Sequence, residues 1–148
     1  MLIIALMSIT LMTALGSALV LTTMTEVTIA GNYKEGVEAF YAAEAAVEWA
    51  IQDLRAAPDW SQVTTNKPYI DSQLEDMLPP GTAHSRMRVV VRVTRPSATA
   101  ENAGLDVLTV AGHAYGTGGS HRAVEVTIAR PAAAGPSPVE VLYWRELL

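Results

Sequence analysis

The chain has 148 residues, ten Lys and Arg against fifteen Asp and Glu, a net charge of −5 and no cysteine. No basic block is available to track a phosphate backbone, which argues against nucleic acid as a partner, and disulfides and Cys-metal sites are excluded. With 25 uncharged residues at the start, about 120 remain for one soluble domain with one core.

The first charged residue is Glu26. Met1 to Thr25 is Leu, Ile, Val, Met and Ala, interrupted only by Ser, Thr and Gly16. As a helix it is roughly 37 Å long, enough to cross a hydrocarbon core of about 30 Å. Leu2, Ile3, Ile4, Leu6, Ile9, Leu11, Leu15, Leu19 and Leu21 are its membrane-facing or assembly-core positions. A secretory signal peptide is also apolar, but it opens on basic residues, is shorter and ends at a small-residue cleavage site. Here no Lys or Arg precedes the run and no clear cleavage site precedes Glu26, so the segment is read as retained. Orientation in a membrane uses cytoplasmic basic residues. Their lack here predicts that they are removed by processing before Met1.

No loop follows the apolar run. Glu26 to Asn32 is polar, with β-branched Val27, Thr28 and Ile29 and the weak helix formers Gly31 and Asn32, so a bend or melted turn is expected there. Helix formers resume at Tyr33. Val37, Phe40, Val47, Ile51 and Leu54 recur at helical spacing, with Ala43 and Ala50 in the same stripe. Phe40, Val47, Ile51 and Leu54 are the expected helix–sheet core. Glu38, Glu44, Glu48 and Asp53 line other faces, as a solvated surface or as carboxylates that meet arginines of neighbouring subunits.

Pro58 stops the helix. Asp59 to Gly81 reads as a linker with one short helix, Asp71 to Leu78, N-capped by Asp71 and ended by Pro79-Pro80-Gly81. The period then becomes two. Arg86 to Arg95 places Met87, Val89, Val91 and Val93 on one face and Arg86, Arg88, Arg92 and Thr94 on the other. Leu105 to Tyr115 and Arg122 to Arg130 form two more strands around the turn Gly116-Thr117-Gly118-Gly119-Ser120. Low-complexity Pro131 to Pro138 leads to a last strand, Val139 to Glu146. The expected fold is α+β: a long N-terminal helix, apolar in its first half, packed on a four-stranded antiparallel sheet. It divides into a transmembrane or filament-core half (1–25), an amphipathic half (26–57) and a globular head with its linker (58–148).

Chemistry finds little support. The glycine turn leads into a strand, leaving no helix N-terminus to hold an anion. His84, His113 and His121 show no zinc-ligand spacing, and no G-x-S-x-G elbow aims a serine. No catalytic, cofactor or metal residue is assigned.

The layout looks like a type IV pilin. Thr25-Glu26-Val27-Thr28-Ile29-Ala30-Gly31-Asn32-Tyr33, followed by Ala39-Phe40-Tyr41-Ala42-Ala43-Glu44-Ala45-Ala46, resembles the N-terminal region of PilX-type minor pilins. That family commonly shows a Glu, an IAGN-like step and an F-x-A-A-E-A stretch. Leu2-Ile3-Ile4-Ala5-Leu6 and Val141-Leu142-Tyr143-Trp144-Arg145-Glu146 are similar to it as well. The resemblance covers about residues 1 to 55 firmly and the last strand weakly.

It implies an inner-membrane precursor with a single span. A prepilin peptidase removes a short basic leader and methylates the new N-terminus, here Met1, and the subunit then enters an extracellular pilus. Uncharged helices exchange lipid for a bundle of like helices with little change in solvation. Most pilins carry a glutamate at the fifth mature position, which compensates a neighbour's ammonium; here that position is Ala5. Burying an ammonium without a counter-charge is costly. Beside that resemblance, Ala5 favours a tip subunit that primes assembly. The alternative is an ordinary membrane residue, with the ammonium met by solvent or by the Ser8 and Thr10 hydroxyls. The partners of such a subunit would be other minor and major pilins, the inner-membrane assembly platform and a tip adhesin. Arg88, Arg92, Tyr143 and Arg145 are candidate contacts, whereas Trp144 is read as packing. Alternatives are a type II secretion pseudopilin, a major pilin, or a bitopic protein whose periplasmic binding domain never polymerises.

Overall fold

A computed structural model describes residues 2–61, 63, 68–77, 87–97, 104–116, 118–132 and 138–147. The chain forms two compact units, Met1–Lys34 and Glu35–Leu148. Helix α1, Leu2–Ala56, contributes to both.

Within the first unit every described residue through Lys34 is exposed. The hydroxyls of Ser8, Thr10, Thr13, Ser17, Thr22, Thr23, Thr25 and Thr28 each donate to the carbonyl one turn back. The polar atoms that interrupt the apolar run are thus satisfied inside the helix, as an apolar surrounding requires. No turn melts at 26–32, where the helix is continuous. Weak propensities there amount to tenths of a kcal/mol per residue, less than the cost of breaking and re-nucleating a helix.

In the second unit α1 buries Ala39, Ala42, Ala43, Ala46, Val47, Ala50, Ile51 and Leu54, a three-four repeat. Most of that stripe is alanine. Phe40 is only partly buried and Val37 is exposed, so the buried face is rotated from the one marked by large residues alone. Small side chains let a sheet approach closely.

The sheet has five strands rather than four, in the order β1-β2-β3-β4-β5, every neighbour antiparallel. They are β1 (Ile70–Gln73), β2 (Arg88–Thr94), β3 (Leu105–Tyr115), β4 (His121–Pro131) and β5 (Glu140–Leu147). The unforeseen strand is β1, placed where a helix from Asp71 was expected; only Leu74–Met77, α2, is helical. Asp71 is not an N-cap: it lies opposite Val90, and Arg88 donates to both its oxygens at 2.8 Å. A four-residue strand with one apolar side chain has too little periodicity to be read, and its pairing with β2 decides it.

Val89, Val91 and Val93 of β2, Leu108 and Val110 of β3, and Val124, Val126 and Ile128 of β4 face α1 in the core, with Met87 beside them. Arg86 of the expected first strand lies outside the described residues. Gly112 marks the closest approach to α1: a Cβ there would stand 2.5 Å from Val47 Cγ2 and 2.9 Å from the Ala43 carbonyl oxygen. The β3–β4 connection closes with Gly116 N–H donating to Ser120 O, and Gly119 takes a positive φ of 82° that suits glycine.

The expected linker holds the most buried aromatic of the molecule. Trp60 is fully buried, and its indole donates to the Leu54 carbonyl at 2.8 Å, satisfying one free acceptor of the helix end. The Arg130 guanidinium lies 4.3 Å over the Trp60 ring and donates to Ala57 O at 3.0 Å. Asp106 sits between Arg95, at 2.9 Å, and Arg130, at 3.8 Å. A cation at a helix C-terminus also complements its dipole.

Candidate functional site

Two surfaces present chemistry. The first is α1 in the first unit, a helix of large exposed apolar side chains: Leu2, Ile3, Ile4, Leu6, Ile9, Leu11, Leu15, Leu19 and Leu21 are all well exposed. Among the described residues it is the one helix long and apolar enough to cross a membrane. Ala5 lies on it, and residues 2–25 include no charge. Met1, the expected processing site, lies outside the described residues.

The second is the sheet face turned away from α1. Strand alternation and register place Arg88 and Arg92 of β2 there, with Tyr143 and Arg145 of β5 across the sheet. Two strands separate the pairs, so the four candidate contacts do not form one cluster. Arg88 is held by Asp71, and its hydrogen bonds keep the Asp71 carboxyl below the usual carboxylate range. Arg145 pairs with Glu125 at 2.6 Å and lies 5.9 Å from the Tyr143 ring centre. Trp144 points to the helix side, its ring edge-on to Phe40 at 6.1 Å, which in turn meets Tyr41 at 5.6 Å. Val141, Leu142, Tyr143 and Trp144 are all about half exposed along an edge strand. Consecutive apolar residues on an edge invite a partner.

Of the expected core positions, Val47, Ile51 and Leu54 are buried in the cluster and Phe40 packs partly against it. Of the helix carboxylates, Glu48 lies 3.9 Å from Arg55 and Asp53 accepts from the Tyr69 hydroxyl. Partial burial, with Asp53 as neighbour, pushes the Tyr69 hydroxyl up to about 12. A raised tyrosine stabilises the fold fully below its ordinary value near 10 and loses that contribution as pH rises from about 10 to 12. Tyr69→Phe is therefore expected to make stability less steep across that alkaline window. Denaturant unfolding at stepped pH, with tyrosinate absorbance as monitor, checks it; an unchanged slope refutes the pairing.

Sequence spacing missed a pairing on the outer face. Register places His113 diagonally to His121, and the two rings meet with Nδ1 and Nε2 3.2 Å apart. Burial first, then the charges of His121 and Arg92, holds the His113 imidazole below its ordinary value. Pairing between adjacent strands could have been found from the hairpin turn, by counting outward from Gly116 and Ser120 on both sides.

Residues 1–48 match the family model described as PilX N-terminal. The first third of the chain carries the N-terminal segment of PilX-type type IV pilins. Neither the curated proteins nor the solved structures gave a match. The matched segment takes in the apolar helix and the first four buried alanines of the head, so the pilin signature ends partway along the helix–sheet interface. The apolar helix within it fits membrane anchoring and packing among like helices.

Proposed function

We propose that this chain is a PilX-type pilin, a non-enzymatic subunit at or near the pilus tip, priming assembly with other minor pilins. In this reading Met1 is the processed and methylated end, and the helix anchors the subunit in the inner membrane before it enters the filament. The observation that carries the reading is the lack of a carboxylate at Ala5. The argument does not depend on that one register: a processed end anywhere from residue 1 to 21 leaves the fifth position without Glu or Asp, because Glu26 is the first acidic residue.

A subunit inserted beneath an existing neighbour needs an acid to meet that neighbour's buried ammonium; one that goes in first does not. The 1–25, 26–57 and 58–148 division follows this use, as filament-core helix, amphipathic helix and head. Arg92, Tyr143 and Arg145 on the outer face, with Arg88 as a residue already neutralised within the head, would meet partner pilins or a tip adhesin.

Subunit counting tests the reading. In sheared, purified filaments the chain is expected at far below one copy per ten major subunits, and its deletion should lower piliation. Ala5→Glu should raise its abundance along the shaft severalfold. Shaft-level abundance of the unaltered chain would rule out the tip position. An unmethylated N-terminus that never leaves the membrane would rule out incorporation altogether.

A further inference from the structure

The outer sheet face also carries a pair of histidines in direct contact. His113 on β3 and His121 on β4 have their rings in nearly parallel planes, 3° apart, with centres 5.5 Å apart and nearest nitrogens 3.2 Å apart. That combination puts the rings side by side, edge to edge, with Nδ1 of one facing Nε2 of the other. Tyr115 flanks the pair, its ring 4.7 Å from that of His121 at 17°. Tyr115 and His121 are directly opposed across the strands.

We propose that His113 and His121 form a two-imidazole site for a divalent first-row transition cation, zinc being the type case. Zinc–nitrogen bonds of about 2.0–2.1 Å at a tetrahedral angle hold two ring nitrogens roughly 3.3–3.4 Å apart. The observed 3.2 Å needs about one or two tenths of an ångström of opening and a tilt that turns both lone pairs toward one point. His121 is exposed, its ring can turn within the plane it presents to Tyr115, and the sheet backbone fixes both Cα positions. The proton now shared between the facing nitrogens moves to a distal ring nitrogen, so each imidazole binds in its neutral form with no net change of charge.

Imidazole is a borderline donor, which selects zinc, nickel or copper over magnesium or calcium. Two protein ligands leave two tetrahedral positions for water or for donors from a partner head. Affinity is set against Arg92, whose charge faces the same pair. The outer-face carboxylates do not offset it: Asp71 is bound by Arg88 and Glu125 by Arg145. This site stands independently of the tip assignment.

The test uses the full chain in detergent, stripped with EDTA and titrated with zinc. Imidazole NMR signals of His113 and His121 are expected to shift together at one equivalent. Saturating zinc should raise Tm by about 2–5 °C. His121→Asn and His113→Asn should each lower affinity at least tenfold, Arg92→Gln should raise it, and magnesium should leave the His113 and His121 signals unchanged. No shift at His113 and His121, or unaltered zinc binding in both His→Asn variants, would overturn the site. The wild-type spectra carry the result even where a variant folds poorly.

Discussion

Trp60→Ala is expected to lower the stability of the head by about 3–5 kcal/mol. The indole is wholly buried, so its removal empties a large volume against Leu54 and the end of α1. Two further losses follow. The Leu54 carbonyl is left without the indole donor, and the Arg130 guanidinium loses the ring beneath it. Trp60→Phe separates these effects, because it keeps most of the apolar volume and removes the N–H; its expected cost is about 1–3 kcal/mol. Trp49→Ala, on the exposed side of the same helix, should change stability by no more than about 0.5 kcal/mol. Urea unfolding of the full chain in detergent, followed by circular dichroism, ranks the three. A Trp60→Ala variant as stable as Trp49→Ala would remove Trp60 from the core.

Gly112→Ala is expected to cost about 1–3 kcal/mol, although it adds a single methyl group. The new Cβ meets Val47 Cγ2 and the carbonyl oxygen of Ala43. A valine methyl can be removed, but a helix carbonyl cannot swing aside. Adding Val47→Ala should therefore recover only part of the loss, and Gly112→Val should be worse than Gly112→Ala. Full recovery in the double variant would mean that the carbonyl is no obstacle. The same contact explains the alanine stripe. Ala39, Ala42, Ala43, Ala46 and Ala50 bury little area each, yet they let strand β3 lie close under the helix, where larger residues would hold it away.

The apolar helix and four of the five strands, β2 to β5, were legible, and β2, β3 and β4 carry several repeats of one period. Leu105 to Tyr115 is found as a strand with those same bounds, and β2 buries Val89, Val91 and Val93 as alternation requires. The buried helix face was half legible: Val47, Ile51 and Leu54 marked it, but alanine is ambiguous in any hydrophobicity pattern, so its true orientation waited for the sheet. Strand β1 was not legible, since four residues with Asp71 and Ser72 among them carry no periodic signal. Neither was Trp60, which stands alone two residues beyond Pro58, although a tryptophan just past a helix end is itself a sign of a buried plug.

The candidate surfaces divide the same way. Chain order alone placed the uncharged run before Glu26 and left Ala5 without a carboxylate, because an anchor is a local property of consecutive residues. The PilX-type N-terminus, matched over residues 1–48, belongs with these. Tertiary structure decided which charges are already spent, with Arg88 held by Asp71 and Arg145 by Glu125, and which residues meet across strands, with His113 beside His121. Those are matters of register. Periodicity fixes which face a side chain takes, but the partner opposite it depends on where two strands align, and only the folded sheet sets that.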